Sequence, residues 1–215
     1  MPFFDITTFS DMLRAVAGSM EYPVIFLLLV LMATALVCAG SLVSEIFTEH
    51  RHLKVKLPQL VDELKDENKD TVRSIQSSGL LKIQKDALIE LTRRPELTPQ
   101  MREALAVRLL EEEQARFDKR VILTDLISKL GPMLGLLGTL IPLGPGIIAL
   151  GQGDTYTLSQ SLLTAFDTTI VGLLSAAVAM LISMIRKRWY GNYMSILEAL
   201  TECVLEVEKS HAEKE

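Results

Sequence analysis

The sequence predicts an all-α membrane protein, with three transmembrane helices and long cytoplasmic helical extensions. Three observations carry this reading. Hydrophobic residues make up 49% of the 215 and the mean hydropathy is positive, which is too apolar for an ordinary globular domain of this length. The apolar residues are also clustered: Pro23 to Val43 and Leu130 to Leu150 carry no charge, and Leu162 to Ile185 carries only Asp167. Each stretch of about 20 residues, at roughly 1.5 Å per residue, matches a hydrocarbon core about 30 Å thick. Finally, the charged segments between and after these stretches keep a helical apolar period.

The elements follow in order. Residues 1–22 form an external N-terminal segment. Residues 23–43 are the first span, and not a cleaved signal, because no basic cluster precedes them: Arg14 is offset by Asp5, Asp11 and Glu21. Residues 44–129 form a cytoplasmic helical domain. In it Leu80, Leu81, Ile83, Leu88, Ile89 and Leu91 share a stripe that Pro95 ends. Thr98 stands where an N-cap belongs, with Pro99 at the first helical position. From there Met101, Leu105, Leu109, Phe117, Val121, Ile122, Leu126 and Leu130 continue one apolar stripe without an interior Gly or Pro, so this helix runs into the second span, 130–150. An external loop, 151–161, leads to the third span, 162–185. A cytoplasmic C-terminal helix, 186–215, carries Tyr193, Ile196, Leu197, Leu200, Val204 and Val207 near heptad spacing. Long helices with one apolar stripe need partners, so a bundle or an oligomer is implied.

Charge sets the orientation. Of 22 lysines and arginines, only Arg14 precedes the first span and none lies in the loop 151–161. By the positive-inside rule the N-terminus faces out and the C-terminus lies in the cytoplasm. Arg186, Lys187 and Arg188, followed by Trp189 and Tyr190, read as a membrane-interface anchor closing the third span.

The second and third spans carry unusual chemistry. On a helical wheel Ser128, Pro132, Gly135, Thr139 and Gly146 share one narrow face with a hydroxyl at its centre. Gly131 and Gly135 make a small-xxx-small pair, so close helix packing is one reading of the glycines, Gly138 included, and a pore face the other. Pro142 and Pro145 free carbonyls near Gly138 and Ile141, which membrane depth tolerates only where protein or water satisfies them. On the third span Ser161, Ala165, Thr168, Thr169, Gly172, Ser175, Ala176 and Ala179 form a broad small and hydroxylic side. Asp167 is the one ionisable residue within the spans, and an intramembrane carboxylate marks function by default. Its place on the wheel, away from the centre of that side, leaves two roles open: a proton relay, or an inter-subunit hydrogen bond or water-exposed vestibule.

Other classes of function are disfavoured. Cys38 and Cys203 fall in different phases and give no disulfide or metal framework. His50-Arg51-His52 reads as a solvated basic patch, since no further ligand stands nearby. No metal site and no cofactor are expected. GPGIIALGQG does not follow a predicted strand and is no phosphate loop, and no nucleophile, base and orienter can be assembled, so the chain is not expected to be an enzyme. A net charge of −5 without a basic stripe disfavours nucleic acid.

The segments LGLLGTL (134–140) and LLTAFDTTIVGLLSAA (162–177), joined by an outward loop, resemble the paired pore helices of the MotA/TolQ/ExbB proton-channel family. The N-out, three-span layout with a large cytoplasmic insertion is similar to the TolQ/ExbB branch. The resemblance implies a ring, expected to be a pentamer, in the cytoplasmic (inner) membrane. Its second and third spans would enclose single helices of a dimeric partner of the ExbD/TolR or MotB type. It further implies a motor subunit that couples proton or sodium flow to mechanical work, the partner's aspartate carrying the proton. By motif position Thr139 and Thr169 match the pore threonines; Thr164 stands where ExbB-like members have a glutamate, which removes one acid from the path. The pore-lining expectation is thus Thr139, Thr164, Asp167, Thr168 and Thr169, with Gly131, Gly135, Gly138, Pro142, Pro145, Gly146 and Gly172 shaping the pore helices. Two other readings are a membrane scaffold acting through its cytoplasmic helices and a transporter with a midplane site near Asp167.

Overall fold

The computed structural model describes residues 6–49, 71–78, 80, 82–92 and 98–212; the patch His50-Arg51-His52, Leu81 and Pro95 lie outside them. Every regular element among the described residues is an α-helix: α1 (Ile6–Ser19), α2 (Glu21–Glu49), α3 (Thr71–Ser77), α4 (Lys82–Thr92), α5 (Pro99–Gly151) and α6 (Thr155–Ala212). Three helical tracts, Phe9–Ile46, Gln100–Gly151 and Thr155–Val207, are long and apolar enough to cross a membrane. The two long helices are much more than spans. At about 1.5 Å per residue, the 53 residues of α5 and the 58 of α6 each exceed twice a bilayer core.

Local chemistry explains the boundaries. Pro99 opens α5, Arg102 N donates to Thr98 O at 2.9 Å, and Met101 N reaches Thr98 Oγ1 at 3.4 Å, so the expected cap is in place. Pro132, Pro142 and Pro145 lie inside a helix that continues past all three. The turn after α5 is a Schellman motif: Gly153 has φ 81°, and Asp154 N donates to Ala149 O at 2.9 Å while Gly153 N donates to Leu150 O at 3.0 Å. Asp154 then caps α6, accepting from Thr157 N at 3.0 Å. The loop expected over 151–161 therefore shrinks to residues 152–154, and the polar residues Thr155, Thr157, Ser159 and Gln160 become helix. The Thr157 hydroxyl and amide bonds hold the Asp154 carboxyl below its usual range.

The N-terminal segment also differs from expectation. It holds α1, whose Phe9, Met12, Leu13 and Val16 recur at helical spacing and are exposed.

The chain divides into two compact units, Met1–Leu42 with Ile122–Met184, and Val43–Val121 with Ile185–Glu215. In the first, Val24, Leu28, Leu31, Ala35 and Leu42 form the buried stripe of α2, while Phe26, Leu29, Leu36 and Val37 are exposed, as a helix solvated by lipid on its outer side requires. Leu31 and Ala35 pack with Ile127 of α5 and Ala179 of α6, joined by Leu130, Leu134 and Val178.

The second unit has a conventional apolar core. Phe117 and Val121 of α5 meet Tyr190, Tyr193, Leu197, Leu200 and Val204 of α6, over Ile75 of α3, Leu80, and Leu88 and Leu91 of α4. The apolar stripe expected along α5 is thus divided: Phe117 and Val121 are buried here, whereas Ile122 and Leu126, in the first unit, are exposed. Phe117 stacks on Tyr190 with ring centroids 4.5 Å apart. Gln84 Nε2 donates to Tyr193 O at 3.0 Å, which ties α4 to α6.

Candidate functional site

Small residues allow α5 and α6 to touch backbone to backbone within the first unit. A Cβ on Gly131 would lie 2.6 Å from Gly172 O and 3.0 Å from Ala176 Cβ; one on Gly172 would lie 2.6 Å from Gly131 O and 2.9 Å from Gly135 Cα. Further out, a Cβ on Gly138 would lie 2.6 Å from Thr168 Cβ, and one on Gly146 3.0 Å from Ser161 Cβ. Gly131, Gly135, Gly138, Gly146 and Gly172 are all buried. They form the seam of a helical hairpin inside one chain.

The seam has two flanks. On α5, Ile127, Leu130 and Leu134 flank it on the side that meets α2. Thr139, with Pro132 and Ser128 at heptad-like spacing behind it, flanks it on the other side. On α6, Val178 packs toward α2 and Ser175 Oγ contacts Met32 Sδ at 3.3 Å; Thr169 flanks the seam on the side away from α2. Thr139 and Thr169 therefore share one side of the hairpin, both half-buried. Thr139 Oγ1 donates to Leu136 O at 2.7 Å and Thr169 Oγ1 to Ala165 O at 3.1 Å.

The other residues expected to line a pore, Thr164, Asp167 and Thr168, stand at other positions on the hairpin. Thr168 is buried in the seam against Gly138, and its hydroxyl donates to the carbonyls of Thr164 at 2.9 Å and Ala165 at 3.0 Å. Thr164 lines an open cavity of about 230 Å3 on the α2 side, together with Glu21, Pro142, Pro145, Tyr156, Thr157, Gln160 and Ser161. Asp167 follows Thr164 by one turn on that flank and is exposed. Within one chain the five do not form a single lining: three-residue spacing on a helix keeps Thr164 and Asp167 together, and the seam separates them from Thr139 and Thr169. The carboxylate of Glu21 beside Thr164 was not among the expected site residues. Its signal in the sequence was weak, one acidic residue two positions before an apolar run.

The expected anchor is likewise redistributed within the second unit. Lys187 and Arg188 are exposed and Trp189 is half-buried, but Arg186 and Tyr190 are buried because Glu45 of α2 offers them a partner. Arg186 Nε donates to Glu45 Oε2 at 3.2 Å and Tyr190 OH to Glu45 Oε1 at 2.8 Å; Arg120 Nη1 stands 3.8 Å from the same oxygen. Burial, and then the Glu45 hydrogen bond, push the Tyr190 phenol above its usual range. Among the described residues no group of His, Cys, Asp or Glu could hold a metal, and neither Cys38 nor Cys203 is in a disulfide.

These features define an all-α membrane protein built on a glycine-seamed helical hairpin with hydroxyls along one flank. Residues 72–199 match the family model of the MotA/TolQ/ExbB proton channel family. The match covers more than half of the chain, and the chain belongs to that family, whose character is that of ion channels and ion-driven motors. No curated protein sequence matches it.

Proposed function

We propose that this chain is the channel subunit of an ion-driven motor in the cytoplasmic membrane, coupling proton or sodium flow to mechanical work on a single-span partner. Several copies, five in the family pattern implied by the motifs, form a ring with the Thr139 and Thr169 flank of each hairpin turned to the axis. A partner dimer of the ExbD/TolR or MotB type occupies that axis. The observation that carries this reading is the division of the hairpin: the glycine seam is consumed inside the chain, leaving a separate hydroxyl-bearing flank that α2 does not cover. Positive residues concentrated on the α5 and α6 extensions support a cytoplasmic location for those extensions.

The test uses the native complex with its partner, reconstituted in liposomes carrying a pH-sensitive and a sodium-sensitive dye. Thr139→Val with Thr169→Val is expected to lower cation flux more than tenfold while the mass of the assembled complex is unchanged. Wild-type flux in the double variant would overturn the proposal. The cavity beside Glu21 and Thr164 favours a second reading, a transporter with its own site; substrate uptake by the chain without any partner would support it instead.

A further inference from the structure

Asp125 stands five residues before the second apolar stretch, and the sequence assigns it to the cytoplasmic domain. The structure groups it with the spans, in the unit that contains Ile122–Met184. Its carboxylate Oδ1 accepts a hydrogen bond from the hydroxyl of Ser183, a residue of the third apolar stretch. Two polar side chains therefore meet across the hairpin near its inner end. Asp125 is half-buried.

The register of this pair is informative. Asp125 precedes Thr139 by 14 residues on α5 (139 − 125), and Ser183 follows Thr169 by 14 on α6 (183 − 169). Fourteen residues make close to four helical turns, so on each helix the two positions fall on nearly the same side and about 21 Å apart. Because α5 and α6 run antiparallel, equal and opposite offsets keep partners level. The Asp125 and Ser183 pair thus repeats the placement of Thr139 and Thr169 four turns inward, on the flank away from α2.

The chemistry of the two levels differs. Threonine hydroxyls can solvate a cation but hold no charge, whereas a carboxylate can bind sodium or take a proton. The Ser128 hydroxyl donates to the backbone carbonyl of Asp125 at 2.8 Å.

We propose that Asp125, positioned by Ser183, is the inner cation-binding group of the ion path, where the translocated cation passes to the cytoplasm. This rests on the channel reading above. For a proton, the carboxylate takes H+ from water in the path and returns it to cytoplasmic water; for sodium, the oxygens coordinate the ion and release it, with no bond broken.

The same liposome assay decides it. Asp125→Asn keeps the shape and the acceptor for Ser183 but removes the charge, and it lowers flux more than tenfold with assembly intact. Asp125→Glu restores at least a third of the flux, and Ser183→Ala lowers it at least threefold. The proton and sodium dyes report which cation is involved. If Asp125→Asn conducts like the wild type while the double threonine variant does not, the channel reading stands and the role of Asp125 falls. If both conduct normally, both fall. Should Asp125→Asn not assemble, Ser183→Ala decides: a threefold fall supports the assignment and unchanged flux overturns it.

Discussion

Gly172→Ala tests the seam on which the hairpin depends. The added methyl would meet Gly131 O at 2.6 Å, Gly135 Cα at 2.9 Å and Gly135 N at 3.2 Å. All three are backbone atoms of α5, so no side chain can rotate away. Restoring an ordinary contact near 3.4 Å needs α5 and α6 to part locally by about 0.8 Å, taken as 3.4 less 2.6. Overpacking of this kind costs about 1–3 kcal/mol, and alanine's better helix propensity returns up to about 1 kcal/mol. A net loss of about 1–2 kcal/mol lowers the midpoint by roughly 2–8 °C for a chain of this size. Gly40→Ala, in the interior of α2, is the matched control, because a Cβ there meets nothing within 4 Å and no proline follows it; it should be neutral or slightly stabilising. Thermal unfolding of the detergent-solubilised protein, followed by circular dichroism, compares the two. Equal midpoints for Gly172→Ala and Gly40→Ala would refute the backbone-contact seam.

Two further substitutions probe the termini of the design. Tyr190→Phe removes the phenol that donates to the buried Glu45 carboxylate and should cost about 1.5–3 kcal/mol, the range for hydrogen bonds to charged groups, read by denaturant titration. Because the folded-state pKa of Tyr190 is raised, this stabilisation is fully present below the unfolded phenol's pKa and is lost as pH rises through the raised value. The wild-type advantage over Tyr190→Phe should therefore persist through neutral pH and disappear only in strong alkali. Gly153→Ala places a methyl at φ 81° and should cost about 1–2 kcal/mol, with faster amide exchange at residues 152–157 as its local signature.

Three helical spans, their order and the Thr98 cap were legible because each is written in contiguous residues: uncharged length, or a cap beside a proline. The pair Thr139 and Thr169 was legible as a motif, and the glycines as small positions. What contiguous reading could not do was assign flanks. Gly135 shares a wheel face with Thr139, and only the partner helix decides that the glycine closes on Gly172 while the threonine stays at the rim. The partner of Asp125 was not legible either, because charge marks the end of a hydropathy window and Ser183 meets it from another helix. Glu45 was missed for the same reason: its partners lie 75 and more residues away. The short turn 152–154 was hidden by composition, since Thr155 to Gln160 are polar but Asp154 starts a helix there.

The hydroxyls also bear on what kind of ion the proposed axis would accept. Thr139 and Thr169 each donate their one proton back to a carbonyl of their own helix, so neither is an unsatisfied donor at membrane depth. Each oxygen still has lone pairs to offer. In the proposed ring, every copy would then present acceptor oxygens at that level, and four turns inward the carboxylate of Asp125. An acceptor-rich level followed by a negative charge attracts a hydrated proton, a sodium ion or the protonated carboxyl of a partner helix, and repels anions. Selecting for cations in this way needs no charged side chain at the threonine level, and so the Thr164 departure need not disable the path.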